Sequence, residues 1–135
     1  MEIELALFRL QNQQFGIEVK SINRILTSSL NKKTQKIHFE DVEIPTIDLT
    51  REFNLNNHKK RQKKEIILVE FDGIKKGLLV DEVLRILKVN LDKVKVIPSL
   101  IKTTAPKDHF WAVAQVEEEL ILLLDIRKLY TNGKW

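Results

Sequence analysis

Lys76-Gly77-Leu78-Leu79-Val80-Asp81-Glu82-Val83-Leu84-Arg85-Ile86-Leu87 repeats a stretch used earlier in the chain, Phe15-Gly16-Ile17-Glu18-Val19-Lys20-Ser21-Ile22-Asn23-Arg24-Ile25-Leu26. A shift of 61 positions lays one on the other. Gly16 then meets Gly77, Val19 meets Val80, Arg24 meets Arg85, and Ile25-Leu26 meets Ile86-Leu87. Upstream, Phe8 and Leu10 fall on Val69 and Phe71. A second echo joins Ile44-Pro45-Thr46-Ile47-Asp48-Leu49-Thr50-Arg51-Glu52-Phe53 to Ile121-Leu122-Leu123-Leu124-Asp125-Ile126-Arg127-Lys128-Leu129-Tyr130. Two echoes in the same order mark a duplicated unit, and an internal repeat constrains the architecture before any local propensity does.

Within each copy the apolar residues alternate or run in short β-rich segments. Ile3 to Leu10, Gln14 to Val19 and Val42 to Ile47 are expected as strands of the first copy. Lys20 to Leu26 is expected as a single turn leading into a strand, and Ser28 to Lys36 as a loop. Gly16 inside a strand suggests a bulge or sharp bend. Pro45 confines its strand to an edge or to one unpaired position. Asp48 suits the N-cap of a short helix through Phe53. The second copy reads likewise: Glu65 to Phe71, an Asp72-Gly73 hairpin turn, Lys75 to Val80, Val83 to Val89, and Val94 to Ile97 stopped by Pro98. Phe110 to Val116 and Leu120 to Asp125 flank Glu117-Glu118-Glu119, and Ile126 to Tyr130 closes with a helical turn. Many short strands with little helix predict a mainly β fold, a small barrel or sandwich, and duplication makes it two barrels. The first is expected over about 1–57 and the second over 65–135, the termini being free to cross over.

At 135 residues the chain is one domain, or two small ones sharing a core, and its 43% hydrophobic and 31% charged content is that of a soluble globular protein. No apolar run approaches the roughly 20 residues that span a bilayer. The acidic start Met1-Glu2-Ile3-Glu4 is not a signal peptide. The absence of cysteine removes disulfides, thiolate metal sites and a cysteine nucleophile, and suits a cytoplasmic location. Lys59, Lys60, Arg61, Lys63 and Lys64 carry the basicity: with these five set aside, the net +4 becomes −1. Residues 58–64 therefore read as a solvated connector between barrels. A competing reading is a barrel protein that binds nucleic acid through this loop. Aromatics able to stack bases do not interleave with its charges, which weakens that reading.

Catalytic chemistry needs a constellation that the chain does not offer. His38, His58 and His109 have no ligand spacing and read as surface or loop residues. Ser28-Ser29 has no histidine nearby, and four glycines form no phosphate cradle. Asp81-Glu82 ends a repeated strand and reads as turn or cap chemistry before acid–base work. Asp48 and Asp125, matched by the repeat, read as helix caps, and Glu117-Glu118-Glu119 as a hairpin tip. Trp111 is expected in core or hairpin packing, and Trp135 either exposed or docked on the second barrel. No cofactor and no metal is implied.

In combination, four segments resemble the CheW-like domain family of bacterial chemotaxis adaptors. They are Phe15-Gly16-Ile17-Glu18-Val19, Ile44-Pro45-Thr46-Ile47-Asp48-Leu49, Gly77-Leu78-Leu79-Val80-Asp81-Glu82-Val83 and Leu124-Asp125-Ile126-Arg127-Lys128-Leu129. The resemblance covers essentially the whole chain and implies two pseudo-symmetric five-stranded β-barrels with short helical turns. It further implies a non-catalytic adaptor that binds the regulatory domain of a CheA-type histidine kinase and the cytoplasmic tip of methyl-accepting chemoreceptors. Such a protein works in the cytoplasm, peripheral to the inner membrane through receptor complexes. It needs no small-molecule substrate. By position in the resemblance, the partner surface is expected at Ile22, Arg24, Leu30, Glu40, Val42 and Ile44. Two features depart from the family pattern: the connection Thr27 to Phe39 is short, and Glu40-Asp41 stand where the family has Arg-Gly. The family's acidic partner for that arginine is replaced here by Arg24. An exchanged pair, Arg24 with Glu40, is the expected consequence.

Overall fold

A computed structural model describes residues 1–27, 36–55, 65–97 and 109–131. The first strands are β1 (Glu2–Leu10), β2 (Gln13–Glu18) and β3 (Ile22–Thr27), with a 3₁₀ turn at Val19–Ser21 before β3. Next come β4 (Lys36–Phe39), β5 (Val42–Asp48) and the helical turn α1 (Leu49–Glu52). The second copy supplies β6 (Glu65–Phe71), β7 (Ile74–Val80), β8 (Glu82–Asn90), β9 (Val94–Val96), β10 (Phe110–Val116), β11 (Glu119–Leu124) and helix α2 (Ile126–Thr131). The strand β4 was not anticipated. Its residues Lys36-Ile37-His38-Phe39 alternate for only one period, too short a pattern to stand out beside a polar loop.

The duplication is real, but each sheet borrows from both copies. One sheet has the order β8-β1-β2-β11-β10-β9, the other β3-β6-β7-β5-β4. The shift of 61 carries β1, β2 and β3 onto β6, β7 and β8, while the second echo, a shift of 77, carries β4 and β5 onto β10 and β11. The same five-strand order thus appears twice, with the opening hairpin of each copy paired to the later strands of the other. The register obeys the relation to the residue. Leu5 pairs with Leu87 where Ile66 pairs with Leu26, and Leu7 with Arg85 where Leu68 pairs with Arg24. The sheets therefore do not part at 58–64: one combines residues 2–18 with 82–124, the other runs from 22 to 80. Parallel pairing of β2 with β11 and of β7 with β5 requires such a crossing, since adjacent parallel strands need a long connection.

Three apolar clusters follow from this layout. Each barrel has its own interior, built around Leu5, Leu7 and Leu123 in one and around Ile37, Ile44 and Leu68 in the other. Between the sheets lies a third cluster with Phe8, Phe15, Phe53 and Phe110 at its centre. Phe15 lies 5.8, 5.7 and 5.6 Å from the rings of Phe8, Phe53 and Phe110. A buried phenylalanine contributes about 1.5–3 kcal/mol, so this stack is what holds two small barrels as one body.

The glycine shared by the copies is explained by packing, not by a bulge. The register shift falls between Leu7 and Phe8 on β1, opposite β8. Gly16 pairs in register with Leu7 and, on its other side, with Leu123. A Cβ at Gly16 would come 2.9 Å from Leu123 Cδ2, and one at Gly77 would come 3.1 Å from Ile66 Cγ2 and 3.2 Å from Thr46 Cγ2. β5 is not an edge strand, since it lies between β7 and β4. Pro45 takes the other option: the ladder with β7 starts at Thr46, one residue later.

Both expected caps form. Asp48 accepts from the Thr50 N–H and Asp125 from the Arg127 N–H, each at 3.1 Å. Asp72-Gly73 makes its turn with both residues at positive φ, 55° and 77°. His109 departs from expectation. Its ring is buried against Phe53, 5.2 Å between centroids, because its carbonyl accepts the Asp125 N–H at 2.8 Å and holds the residue at the core. His109 Nε2 lies 3.3 Å from Glu52 Oε2, yet neither ring nitrogen has a hydrogen bond among the described residues. His38 is exposed, as expected.

Candidate docking surface

The barrel built from β3-β6-β7-β5-β4, the second barrel of the folded chain, curls until its two edge strands approach each other, and the barrel built on β8-β1-β2-β11-β10 is the first. Arg24 on β3 reaches over the ring of Phe39 on β4, with the guanidinium carbon 5.3 Å from the ring centroid. Arg24 pairs along the strand with Leu68, a residue of the barrel interior, so its side chain rises at the barrel mouth. Phe39 is half-buried and packs on the same interior from above. The contact closes the seam between β3 and β4.

Glu40 and Asp41 form the turn joining β4 to β5, with φ of 50° and 62°. Two positive φ values in a two-residue hairpin favour Asn-Gly or Asp-Gly, and a Glu-Asp turn holds them against the Cβ clash of the left-handed region. Glu40 and Asp41 are both exposed, and Val42 beside them is 56% exposed. Ile22 opens β3, half-buried, and packs against the central aromatic cluster. Ile44 is a different matter. At 2% exposure it lies inside the second barrel, so it supports the hairpin from below and offers a partner no contact. The sequence leaves a core role and a docking role equally open for Ile44, and pairing with Ile37 turns it inward. Leu30 lies outside the described residues, as does the basic run 58–64.

The expected pairing of Arg24 with Glu40 does not form: the two make no ion pair among the described residues. The reason is visible in the other copy. The repeat carries Arg24 onto Arg85 and Glu40 onto Glu117, and there the pair is made, Arg85 Nη2 to Glu117 Oε1 at 2.5 Å. Val116 stands in the first barrel where Phe39 stands in the second. An arginine with an aromatic face beside it can stack there, and one without turns to the carboxylate. Phe39 is the residue that reading the sequence passed over. Its only signal was an aromatic directly before the Glu40-Asp41 turn.

Asp81 and Glu82 take the structural role. Asp81 is 4% exposed and its Oδ2 accepts the Gln11 N–H at 2.7 Å. Glu82 pairs with Arg9 at 3.3 Å, and the Arg9 Nη1 donates to the Gln11 carbonyl at 2.7 Å. Among the described residues, no three His, Asp or Glu side chains are grouped to hold a metal ion, and no helix is long and apolar enough to cross a membrane.

Comparison with known proteins agrees with this architecture. Residues 4–133 match the family described as CheW-like domain. The chain is 21% identical to the chemotaxis protein CheW of Klebsiella aerogenes over 137 aligned positions, covering 96% of this chain and 82% of that protein. It is 23% identical to the chemotaxis protein CheV3 of Helicobacter pylori, covering 98% of this chain but only 49% of CheV3, so it spans about half of that relative's length. The scaffolding protein TtCheW from Thermoanaerobacter tengcongensis has the same fold, with a TM-score of 0.83, 24% identity, and 99% of this chain and 97% of that one covered. With matching strand order in two half-barrels and a family match over nearly its full length, the chain belongs to the CheW-like domain family.

Proposed function

We infer that this chain is a non-catalytic adaptor that couples methyl-accepting chemoreceptors to a CheA-type histidine kinase by binding both. The observation that carries the reading is the match to the CheW-like family across residues 4–133, which leaves almost no part of the chain for another activity. The mouth of the second barrel is the docking surface that this reading favours. Arg24, Glu40 and Val42 are exposed there, Phe39 is half-buried beside Arg24, and the β4–β5 hairpin presents an edge; Ile22 is half-buried against the central cluster and lies away from this mouth. An exposed arginine held over an aromatic ring costs little further ordering when a partner covers it, and such residues concentrate binding energy at interfaces.

Ile44 enters the reading only as the support beneath this surface. The protein acts in the cytoplasm, held near the inner membrane by the receptors it binds, without substrate or cofactor. Reconstitution tests the reading: purified chain added to receptor-containing membranes and the kinase of the same organism raises receptor-dependent autophosphorylation. Kinase activity that receptor and chain together leave unchanged contradicts it.

A further inference from the structure

The internal symmetry is broken at a second place. Where the chain passes from β7 into β8, Arg9 on β1 reaches across to the crossing. Its Nη2 bonds Glu82 at 3.3 Å, its Nη1 lies 3.9 Å from Asp81, and the Asp81 N–H donates to the Arg9 carbonyl at 3.1 Å. The strands β1 and β8 stay paired as far as Arg9 and Glu82. A shift of 61 carries Arg9 onto Glu70, and carries Lys20 and Ser21 onto Asp81 and Glu82. In this twin position the latch is absent. Lys20 cannot accept the amide hydrogen bond that Asp81 accepts, and its Nζ turns to Glu18 at 3.3 Å. The chain takes a 3₁₀ turn at Val19–Ser21, and pairing between β3 and β6 stops at Ile22 and Val69.

The gap left by the missing latch is a cleft of about 520 Å³ lined by Ser21 and Glu70 on its two sides. Phe71, Trp111 and Ile126 give it an apolar and aromatic lining. Its charged groups are Glu18, held by Lys20, Asp125, held by Arg127 at 3.1 Å, and Glu70. Glu70 is exposed and its carboxylate has no hydrogen bond or ion pair among the described residues. Three carboxylates thus face two cations, both already engaged.

We propose that this cleft receives an arginine side chain presented by a partner protein, which pairs with Glu70, the carboxylate that stands where the latch has Arg9. The arginine stem lies along Phe71 and Trp111, where an aromatic ring favours a planar cation. The occupant is cationic because the one unengaged charge of the cleft is negative. It is arginine rather than lysine because the one open carboxylate stands beside an aromatic lining, which a planar, weakly hydrated guanidinium suits better than an ammonium. This inference follows from the broken symmetry alone and does not depend on the adaptor reading, whose test is kinase activation.

The test titrates the ¹⁵N-labelled chain with N-acetyl-arginine amide and, separately, with its neutral isostere N-acetyl-citrulline amide. Arginine is expected to shift the Glu70 and Phe71 amides and the Trp111 indole N–H, citrulline to leave them in place, and Glu70→Gln to weaken arginine binding about tenfold. Equal responses to the two compounds, an unchanged response in Glu70→Gln, or arginine shifts confined to the acidic β4–β5 hairpin overturn it. A second variant, Glu70→Arg with Lys20→Asp and Ser21→Glu, rebuilds the latch and is expected to abolish the response. Arginine binding retained in that closed variant also overturns the proposal.

Discussion

Arg85 and Glu117 meet at 2.5 Å across the mouth of the first barrel, and their counterparts in the second, Arg24 and Glu40, do not meet at all. Two positions equivalent by duplication have therefore been put to different uses. In one barrel the arginine is tied down by a carboxylate; in the other it lies over Phe39 and makes no ion pair among the described residues.

Double-mutant cycles should register the difference. Arg85 and Glu117 are 52% and 74% exposed, so their coupling is expected at about 0.2–1 kcal/mol, falling with added salt. Arg24 and Glu40 are expected to show no coupling, and Arg24 with Phe39 about 0.5–1 kcal/mol, little changed by salt. Urea unfolding of the four-member cycles measures all three.

Gly16→Ala pushes a methyl group toward Leu123 of the parallel strand β11, and Gly77→Ala pushes one toward Ile66 of the antiparallel β6 and Thr46 of the parallel β5. Both are expected to destabilise by about 1–3 kcal/mol. Gly77→Ala should cost more, because it meets Ile66 and Thr46, β-branched and stiff at χ1, whereas Gly16→Ala meets the end of the more adaptable Leu123. Thermal midpoints of the two variants give the order.

The same duplication explains what was legible in the sequence and what was not. The Asp48 and Asp125 caps and the Asp72-Gly73 turn are local signals, and each led to the correct element, whereas Gly16 suggested a bulge and serves close packing against Leu123. The exchange of hairpins between copies is not local. Nothing in Leu5 or Leu87 says that they pair with each other; only the parallel strands β2–β11 and β7–β5 force the crossing. Of the expected surface residues, Arg24, Glu40 and Val42 are exposed. Ile44 is not, because its inward direction is set by pairing with Ile37 on a strand too short to be read in advance. His109 misled for a similar reason: its burial is fixed by Phe53 and by Asp125, both distant in sequence.

The Glu40-Asp41 turn holds two residues with side chains in the left-handed region. Asp41→Gly removes the steric cost at φ of 62° and is expected to stabilise the protein by about 0.5–1 kcal/mol. A rise in the urea midpoint without change in slope is the expected signature.

Tyr130 gives the protein an alkaline limit. Burial first, and the negative charge of Glu70 second, hold its phenol above the ordinary value, while its hydroxyl donates to the Ile74 carbonyl at 2.8 Å. A pKa raised in the folded state gives stability that is intact below about pH 10, the unfolded value, and declines as pH rises beyond it. It is the single tyrosine of the chain, so the comparison is clean. Between pH 8 and pH 11 the native protein should lose more stability than Tyr130→Phe, whose lysines titrate alike.

The most direct test of the adaptor reading is calorimetric titration of this chain against the regulatory domain of the CheA-type kinase from the same organism, near physiological salt. Micromolar or tighter binding is expected, about −8 kcal/mol or stronger. Arg24→Glu or Val42→Asp, which leave the fold intact by circular dichroism, are expected to weaken binding to the kinase or, in a parallel titration, to the receptor tip. No heat of binding to either partner at concentrations above 100 times that range would contradict it.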